Sequence, residues 1–127
     1  MVTGLEFTSA HREGCCVLTV AGELDLVRAR ALEVALMRHT SVEIPLVLDL
    51  RGVQFMDSEA LYVLLRTHHE YGQARQRMIV VPSPAVRSVL EVAGVLHAVA
   101  LCPSVQDALS VLRDAVAQPE ASPVPES

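Results

Sequence analysis

Residues 55–61 read Phe55-Met56-Asp57-Ser58-Glu59-Ala60-Leu61, and this run marks the point where a buried strand should give way to a helix. Just upstream, residues 46–50 are almost wholly apolar, as expected of a strand covered on both faces, and residues 51–54 are predicted to form a loop. The Asp57 carboxylate can accept hydrogen bonds from free amides of the first helical turn, which makes Asp57 a helix cap. Ser58 is then the first helical residue and is predicted to be exposed.

The helix that follows is predicted over residues 57–71, with Gly72 as the residue that ends it. Met56 and Leu61 stand at the N′ and N4 positions of a hydrophobic staple. The inner stripe of the helix is predicted to consist of Leu61, Leu64, Leu65 and His68. An aspartate and a serine before an apolar run are also ordinary capping chemistry, so these residues alone do not establish a functional site.

Composition bounds the kind of protein. The chain has 127 residues, of which 51% are hydrophobic and 20% charged, as in a globular domain. We expect one domain, residues 1–117, and a disordered proline-rich tail, residues 118–127. The net charge of −5 without a basic cluster argues against direct binding to nucleic acid.

No targeting or membrane segment is recognisable in the sequence. The longest uncharged run, residues 92–106, is too short and too broken to span a bilayer, and the first residues lack the pattern of a signal peptide. We therefore expect a cytoplasmic protein that does not insert into membranes.

The residues that could carry catalysis or bind metal do not converge. Cys15 and Cys16 are adjacent in a predicted strand, so they should point to opposite faces as reduced, small apolar side chains. An enzyme that used Ser58 would need a base, but His68 lies about 15 Å further along the same helix. No Gly-x-Ser-x-Gly elbow and no metal-ligand spacing is present. We expect no cofactor, metal site or catalytic residue, and a serine-dependent enzyme is a remote alternative.

The rest of the chain alternates strands and helices. A hairpin is predicted from strands at residues 3–10 and 15–21, with a turn at residues 11–14. Asp25 caps a helix that runs to about His39 and carries Leu32, Ala35 and Leu36 on its inner face. The later predicted elements are a strand at residues 78–81, a helix at 84–93 ended by Gly94, a short strand near 98–101, and a last helix capped by Ser104 that buries Val105, Ala108, Leu109 and Leu112.

This order predicts an α/β fold. The sheet should be mixed, with an N-terminal hairpin, parallel later strands and right-handed crossovers, and it should carry about four α-helices.

Several segments in this order resemble the STAS-domain anti-sigma factor antagonists. They are Gly22-Glu23-Leu24-Asp25, Leu48-Asp49-Leu50, Phe55-Met56-Asp57-Ser58 and Ser83-Pro84-Ala85-Val86, followed by Leu90 and Gly94-Val95. The similarity runs from about Leu5 to Leu112, and the ordered set is more specific than any one of its motifs. The resemblance implies a STAS-like fold and a bacterial regulator of transcription that is not itself an enzyme.

The resemblance also implies a mechanism of partner switching. The unphosphorylated antagonist binds an anti-sigma factor, usually also a serine kinase that brings its own ATP and magnesium, and so frees the sigma factor. Carried over by position, Ser58 is the phosphate acceptor, and a phosphatase resets it. The implied partner-binding residues are Gly22, Glu23, Leu24, Asp25, Met56, Asp57, Ser58, Glu59 and Leu61.

One departure from the family pattern leaves an alternative open. The family commonly continues Asp-Ser-Ser-Gly-Leu, whereas Glu59 and Ala60 follow Ser58 here. Alanine is favoured over glycine inside a helix, so the fold should tolerate the change, but Glu59 alters the charge that a kinase meets. The alternative is a STAS-like scaffold, or an accessory subunit of a signalling or lipid-transport complex, in which Ser58 is never phosphorylated.

Overall fold

Strands and helices alternate after an opening hairpin. The computed structural model describes residues 5–40, 44–74 and 77–117, and the predicted tail, residues 118–127, lies outside them. Its elements are β1 (Leu5–Arg12), β2 (Cys15–Leu24), α1 (Leu26–Thr40), β3 (Leu46–Met56), α2 (Ser58–Gln73), β4 (Met78–Pro82), α3 (Pro84–Val92), a 3₁₀ turn (Leu96–Ala98) and α4 (Val105–Ala117).

The strands form one mixed sheet in the order β1-β2-β3-β4. β1 pairs antiparallel with β2, whereas β2 with β3 and β3 with β4 pair in parallel. The predicted α/β class, the N-terminal hairpin and the parallel later strands are therefore confirmed. No helix among the described residues is long and apolar enough to cross a membrane.

The hairpin turn is tighter than predicted. β1 continues through Arg12, which pairs with Cys15, so the turn consists only of Glu13 and Gly14. Both turn residues have positive φ, 54° and 80°, as a two-residue type I′ turn requires. The predicted four-residue turn was therefore wrong by two residues, which extend the strand pairing instead.

β3 is longer than the predicted strand at residues 46–50. The residues predicted as a loop, 51–54, stay in the sheet, and pairing with β2 continues to Leu24 and Met56. Gly52 permits this continuation, because a Cβ there would lie 2.8 Å from the Ala21 Cβ. Because Ala21 and Gly52 are about thirty positions apart in the sequence, no local pattern predicts their close approach.

The core has two layers, one on each face of the sheet. α1, α2 and α3 contribute Leu32, Leu64 and Leu90 to the cluster on one face. On the other face, α4 buries the side chains predicted for it, and they pack with Cys15, Val17, Val47, Ile79 and Val81. Cys15 and Cys16 lie on opposite faces as predicted, and both are buried free thiols.

The predicted helix caps are confirmed, and so is one of the two glycines predicted to end a helix. Asp25 caps α1, and the Ser83 hydroxyl accepts from the Val86 amide at 3.1 Å. Gly72, predicted to end α2, lies inside the helix, and Ala74 is the C-cap. Gly94 ends α3 as predicted: its φ is 75°, and the amide of the next residue, Val95, donates to the Leu90 carbonyl, as in a Schellman motif.

Two further details of the prediction were wrong. The buried face of α2 consists of Ala60, Val63, Leu64, Thr67 and Tyr71, so the predicted stripe was rotated, and Leu61, Leu65 and His68 are half-buried. The short strand predicted near residues 98–101 is reduced to one parallel bridge between Val80 and Leu101 after the 3₁₀ turn.

Candidate functional site

The start of α2 presents Ser58 to solvent. Asp57 is the N-cap, and its Oδ1 accepts from the amides of Glu59 and Ala60, each at 3.1 Å. The Asp57 carbonyl accepts from the Leu61 amide at 3.0 Å and closes the first turn. Ser58 is the first helical residue and is exposed, so both predictions about its position are confirmed.

The end of β2 anchors this helix start. Leu24 and Met56 are partners in the parallel ladder, and the Asp57 amide donates to the Leu24 carbonyl at 3.0 Å. The register shifts after Gly22, whose φ of 118° favours glycine. The turn from β2 into α1 and the start of α2 therefore lie side by side at the carboxyl ends of two parallel strands.

The nine residues implied by the resemblance divide into a surface set and a supporting set. Glu23, Ser58 and Glu59 are exposed, and Gly22, Asp25, Asp57 and Leu61 are partly exposed. Leu24 and Met56 are buried in the core, and Leu61 packs against the same core. Leu24 and Met56 can therefore support a binding surface from below, but they offer it no contact area.

Asp25 is already engaged within its own helix. Its Oδ1 accepts from the Arg28 amide at 3.0 Å, and its Oδ2 accepts from the Arg28 guanidinium at 2.5 Å. The pair caps α1 and neutralises this carboxylate. Of the acidic residues in the site, Glu23 and Glu59 extend furthest into solvent.

Two exposed aromatic residues flank Ser58 in the sequence, and neither was predicted to belong to the site. Phe55 is 49% exposed at the end of β3, and Tyr62 is 60% exposed one helical turn beyond Ser58. Arg66 follows at the next turn, with its guanidinium 5.5 Å from the Tyr62 ring centroid, and pairs with Glu33 of α1. The spacing of four residues from Ser58 to Tyr62 to Arg66 would have predicted this face of α2.

The environment of Ser58 is acidic. In the sequence, no basic residue occurs between Gly52 and Val63, and Ser58 is flanked by Asp57 and Glu59. Because the Asp57 carboxylate already accepts from the second and third amides of the helix, they are not open to a further anion. The helix start can therefore offer a phosphate less hydrogen bonding than its position alone suggests.

A structural ion pair lies on β3 upstream of the site. The buried Asp49 carboxylate accepts from Nε and Nη2 of Arg51, each at 2.9 Å, and from the Arg51 amide at 3.1 Å. Burial would raise the pKa of Asp49, but the hydrogen bonds and charge of Arg51 outweigh it and hold that pKa below its usual value. Asp49 therefore remains a carboxylate that fixes Arg51.

His68, the histidine nearest to Ser58 in the sequence, is engaged elsewhere. His68 is half-buried, and its Nε2 accepts from the Ala100 amide at 3.1 Å. Burial lowers the pKa of His68, partly offset by a backbone hydrogen bond at Met78. Within residues 5–40, 44–74 and 77–117, no three His, Cys, Asp or Glu side chains are grouped to hold a metal ion.

Comparison with known proteins gives a consistent result. Residues 6–108 match the family model described as the STAS domain. The chain is 32% identical over 107 residues to the anti-sigma-F factor antagonist RsfB of Mycobacterium tuberculosis, which covers 84% of this chain and 88% of RsfB. A crystal structure of an anti-sigma factor antagonist from Mycobacterium paratuberculosis superposes with a TM-score of 0.80 at 33% identity, over 87% of this chain and 96% of that one.

A structure with lower sequence identity has a similar fold. Unphosphorylated SpoIIAA, an anti-sigma factor antagonist, superposes with a TM-score of 0.68 at 20% identity, covering 86% of this chain and 97% of that one. At that identity the similarity concerns the fold alone.

Proposed function

This chain belongs to the STAS domain family, and we propose that it acts as an anti-sigma factor antagonist whose binding is ended by phosphorylation of Ser58. The unphosphorylated form binds an anti-sigma factor with serine kinase activity in the bacterial cytoplasm, and a phosphatase restores it. The chain binds its partner without catalysing a reaction. The exposed Ser58 hydroxyl at the capped start of α2 carries the proposal.

The proposed binding surface combines both sets of site residues. Ser58, Glu23 and Glu59 provide polar contacts, and Phe55 and Tyr62 provide exposed aromatic area. Aromatic side chains in the centre of an interface commonly contribute most of its binding energy. Gly22 and Asp25 shape the neighbouring turn, Asp57 and Leu61 fix the helix start, and the buried Leu24 and Met56 hold the two segments together.

A phosphate at Ser58 would act on the interface more than on the fold. It brings a charge of about −1.5 to −2 to a position beside Asp57 and Glu59. The amides of Glu59 and Ala60 already bond to Asp57, so the phosphate finds few new partners within the chain, and its exposure leaves it hydrated. Partner binding would strip this water from the phosphate, and without a cation of the partner to replace it the cost is on the order of several kcal/mol. Since 1.4 kcal/mol corresponds to about tenfold in affinity, binding would be lost.

The alternative function is a scaffold that is never phosphorylated. It is favoured by Glu59 and Ala60, which stand where antagonists commonly have serine and glycine. A kinase that accepts the family's usual sequence meets an additional carboxylate here. In that case the same surface would bind its partner constitutively.

Phosphorylation by candidate kinases distinguishes the two functions. The chain is incubated with each kinase and ATP, and its intact mass is measured. We expect one added phosphate that is lost in Ser58→Ala and kept in Ser88→Ala, an exposed serine on α3 that serves as the matched control. Absence of phosphate with every kinase from the native cell would favour the scaffold, and phosphate that survives in Ser58→Ala would contradict Ser58 as the acceptor.

A second experiment tests the surface itself. Tyr62→Ala should weaken binding of the anti-sigma factor at least about tenfold, a loss of about 1.4 kcal/mol. Val92→Ala removes an apolar side chain on α3 that is even more exposed than Tyr62, and it should change binding less than about twofold. If the two substitutions weakened binding equally, Tyr62 would not be part of the proposed binding surface.

A further inference from the structure

The outer edge of β1 has no partner strand among the described residues. β1 is the terminal strand of the sheet, and Leu5 through Arg12 pair only with β2. At the opposite edge, β4 is partly covered, because the Val80 amide and carbonyl bond to Ala100 and Cys102. β1 therefore leaves a row of backbone donors and acceptors along one side, which is the usual template for an added strand.

A groove of about 640 Å³ runs beside this edge, between β1 and α1. Its apolar lining includes Phe7, Leu18, Val27 and Val34. Val27 is 80% exposed, so part of this apolar lining is open to solvent. The volume lies in the range of ordinary ligand sites, and the open strand edge makes a peptide the occupant that uses both features.

The rim of the groove is basic on a chain whose net charge is −5. The cationic side chains that line it are Arg30 and Arg38, and Arg30 forms no ion pair with any residue that the structure describes. His39 also lines the groove, but burial, followed by the charges of His11 and Arg38, lowers the pKa of His39, so this ring adds little positive charge at neutral pH. Glu33 of α1 is turned away into its ion pair with Arg66.

The spacing of the side chains along the rim matches the spacing of side chains on one face of an extended peptide. Arg30, Val34 and Arg38 succeed one another at four-residue intervals on one face of α1, which puts the two arginines about 12 Å apart. In a strand, side chains four residues apart lie on the same face about 13 Å apart, with one further side chain midway. An acidic, an apolar and an acidic side chain on one face of a strand would meet Arg30, Val34 and Arg38 in turn.

We propose that this groove binds an extended segment of a partner protein, which adds a strand to the edge of β1 and presents two acidic residues, four apart, with an apolar residue between them. The site is separate from Ser58, and its occupation does not depend on phosphorylation. A second copy of this chain fits less well, because symmetric pairing would bring the basic rims of both copies together.

A designed peptide tests the proposal on the full chain. The probe is a threonine peptide of nine residues with glutamate, valine and glutamate at its third, fifth and seventh positions, and its control carries lysine for glutamate. We expect the acidic probe to bind at least about tenfold more tightly than the basic one at low salt. Bound probe should also slow amide hydrogen exchange along β1.

Charge reversal locates the site. Arg30→Glu should lower the affinity for the acidic probe at least about fivefold. Arg87→Glu, the same change on α3, should alter this affinity less than about twofold. Phosphorylated and unphosphorylated chains should bind the probe alike, so failure here leaves the proposed function standing, and the reverse also holds. No binding, equal binding of both peptides, binding without protection of β1, or dimerisation of the chain through β1 would each overturn the proposal.

Discussion

Removal of the Asp57 carboxylate should destabilise the protein by a predictable amount. Asp57→Ala leaves the amides of Glu59 and Ala60 without their acceptor. Loss of an N-cap costs about 0.5 to 2 kcal/mol. The Glu59 amide lies at an exposed bond where water can replace the carboxylate, whereas the bond to Ala60 is partly buried. We therefore expect a loss of about 1 kcal/mol in the free energy of unfolding.

Asp57→Asn separates the hydrogen bonds from the charge. Asparagine caps helices about as well as aspartate, so both amides keep an acceptor. Only the favourable interaction of the carboxylate with the helix dipole is lost, which is about 0.3 to 1 kcal/mol at a surface site. The asparagine variant should therefore lie between the wild type and Asp57→Ala.

Urea unfolding followed by circular dichroism measures both effects. The midpoints should shift while the slope with denaturant stays constant. If Asp57→Ala were as stable as the wild type, or Asp57→Asn as unstable as Asp57→Ala, the capping geometry would not have the role given to it here. The pair also bears on recognition: if Asp57 acts only as a cap, Asp57→Asn should bind the anti-sigma factor like the wild type.

Three further predictions follow from the fold. Gly52→Ala should lower the free energy of unfolding, measured with urea, by about 1 to 3 kcal/mol, because its new Cβ meets Ala21. Adding Ala21→Gly should recover part of this loss, and no recovery would contradict the close approach. The folded-state pKa of His68 is lowered, mainly by burial, so its contribution to stability should fall as the pH drops below about 6.5, the unfolded value. His68→Gln should therefore flatten the curve of stability against pH in that range. An unchanged slope in this variant would contradict the assignment to His68. Arg51→Leu leaves the buried Asp49 carboxylate without its cation and should cost about 1 kcal/mol at pH 7. Without Arg51, burial raises the pKa of Asp49 in the variant, so the cost should shrink as the pH falls and this carboxyl takes up a proton. A cost that is independent of pH would refute the pairing.

The sequence alone predicts the features that arise from local chemistry. Asp25, Asp57 and Ser104 each cap a helix through an amide two or three residues away, so the side chain and its target are visible together in the sequence. The period of two in the first strands similarly separates Cys15 from Cys16 onto opposite faces.

The features that the sequence does not predict depend on distant partners. Residues 51–54 continue β3 because Gly52 meets Ala21 across the sheet, and Gly72 remains helical although a glycine favours a helix end. The exposure of Phe55 depends on what other elements leave uncovered, whereas its neighbour Met56 is buried. The location of Ser58 and the face of α2 that carries Tyr62 were therefore predictable from local spacing, but the exposure of Phe55 was not.

The affinity of the anti-sigma factor for the two forms of the chain tests the central claim most directly. Unphosphorylated and Ser58-phosphorylated protein would be titrated against the partner, and the free energy of unfolding of each form would be measured in parallel. We predict at least about hundredfold weaker binding of the phosphorylated form, with unfolding changed by less than about 1 kcal/mol. Equal affinity of the two forms, or a loss of binding that accompanies unfolding of α2, would contradict a switch located in the interface.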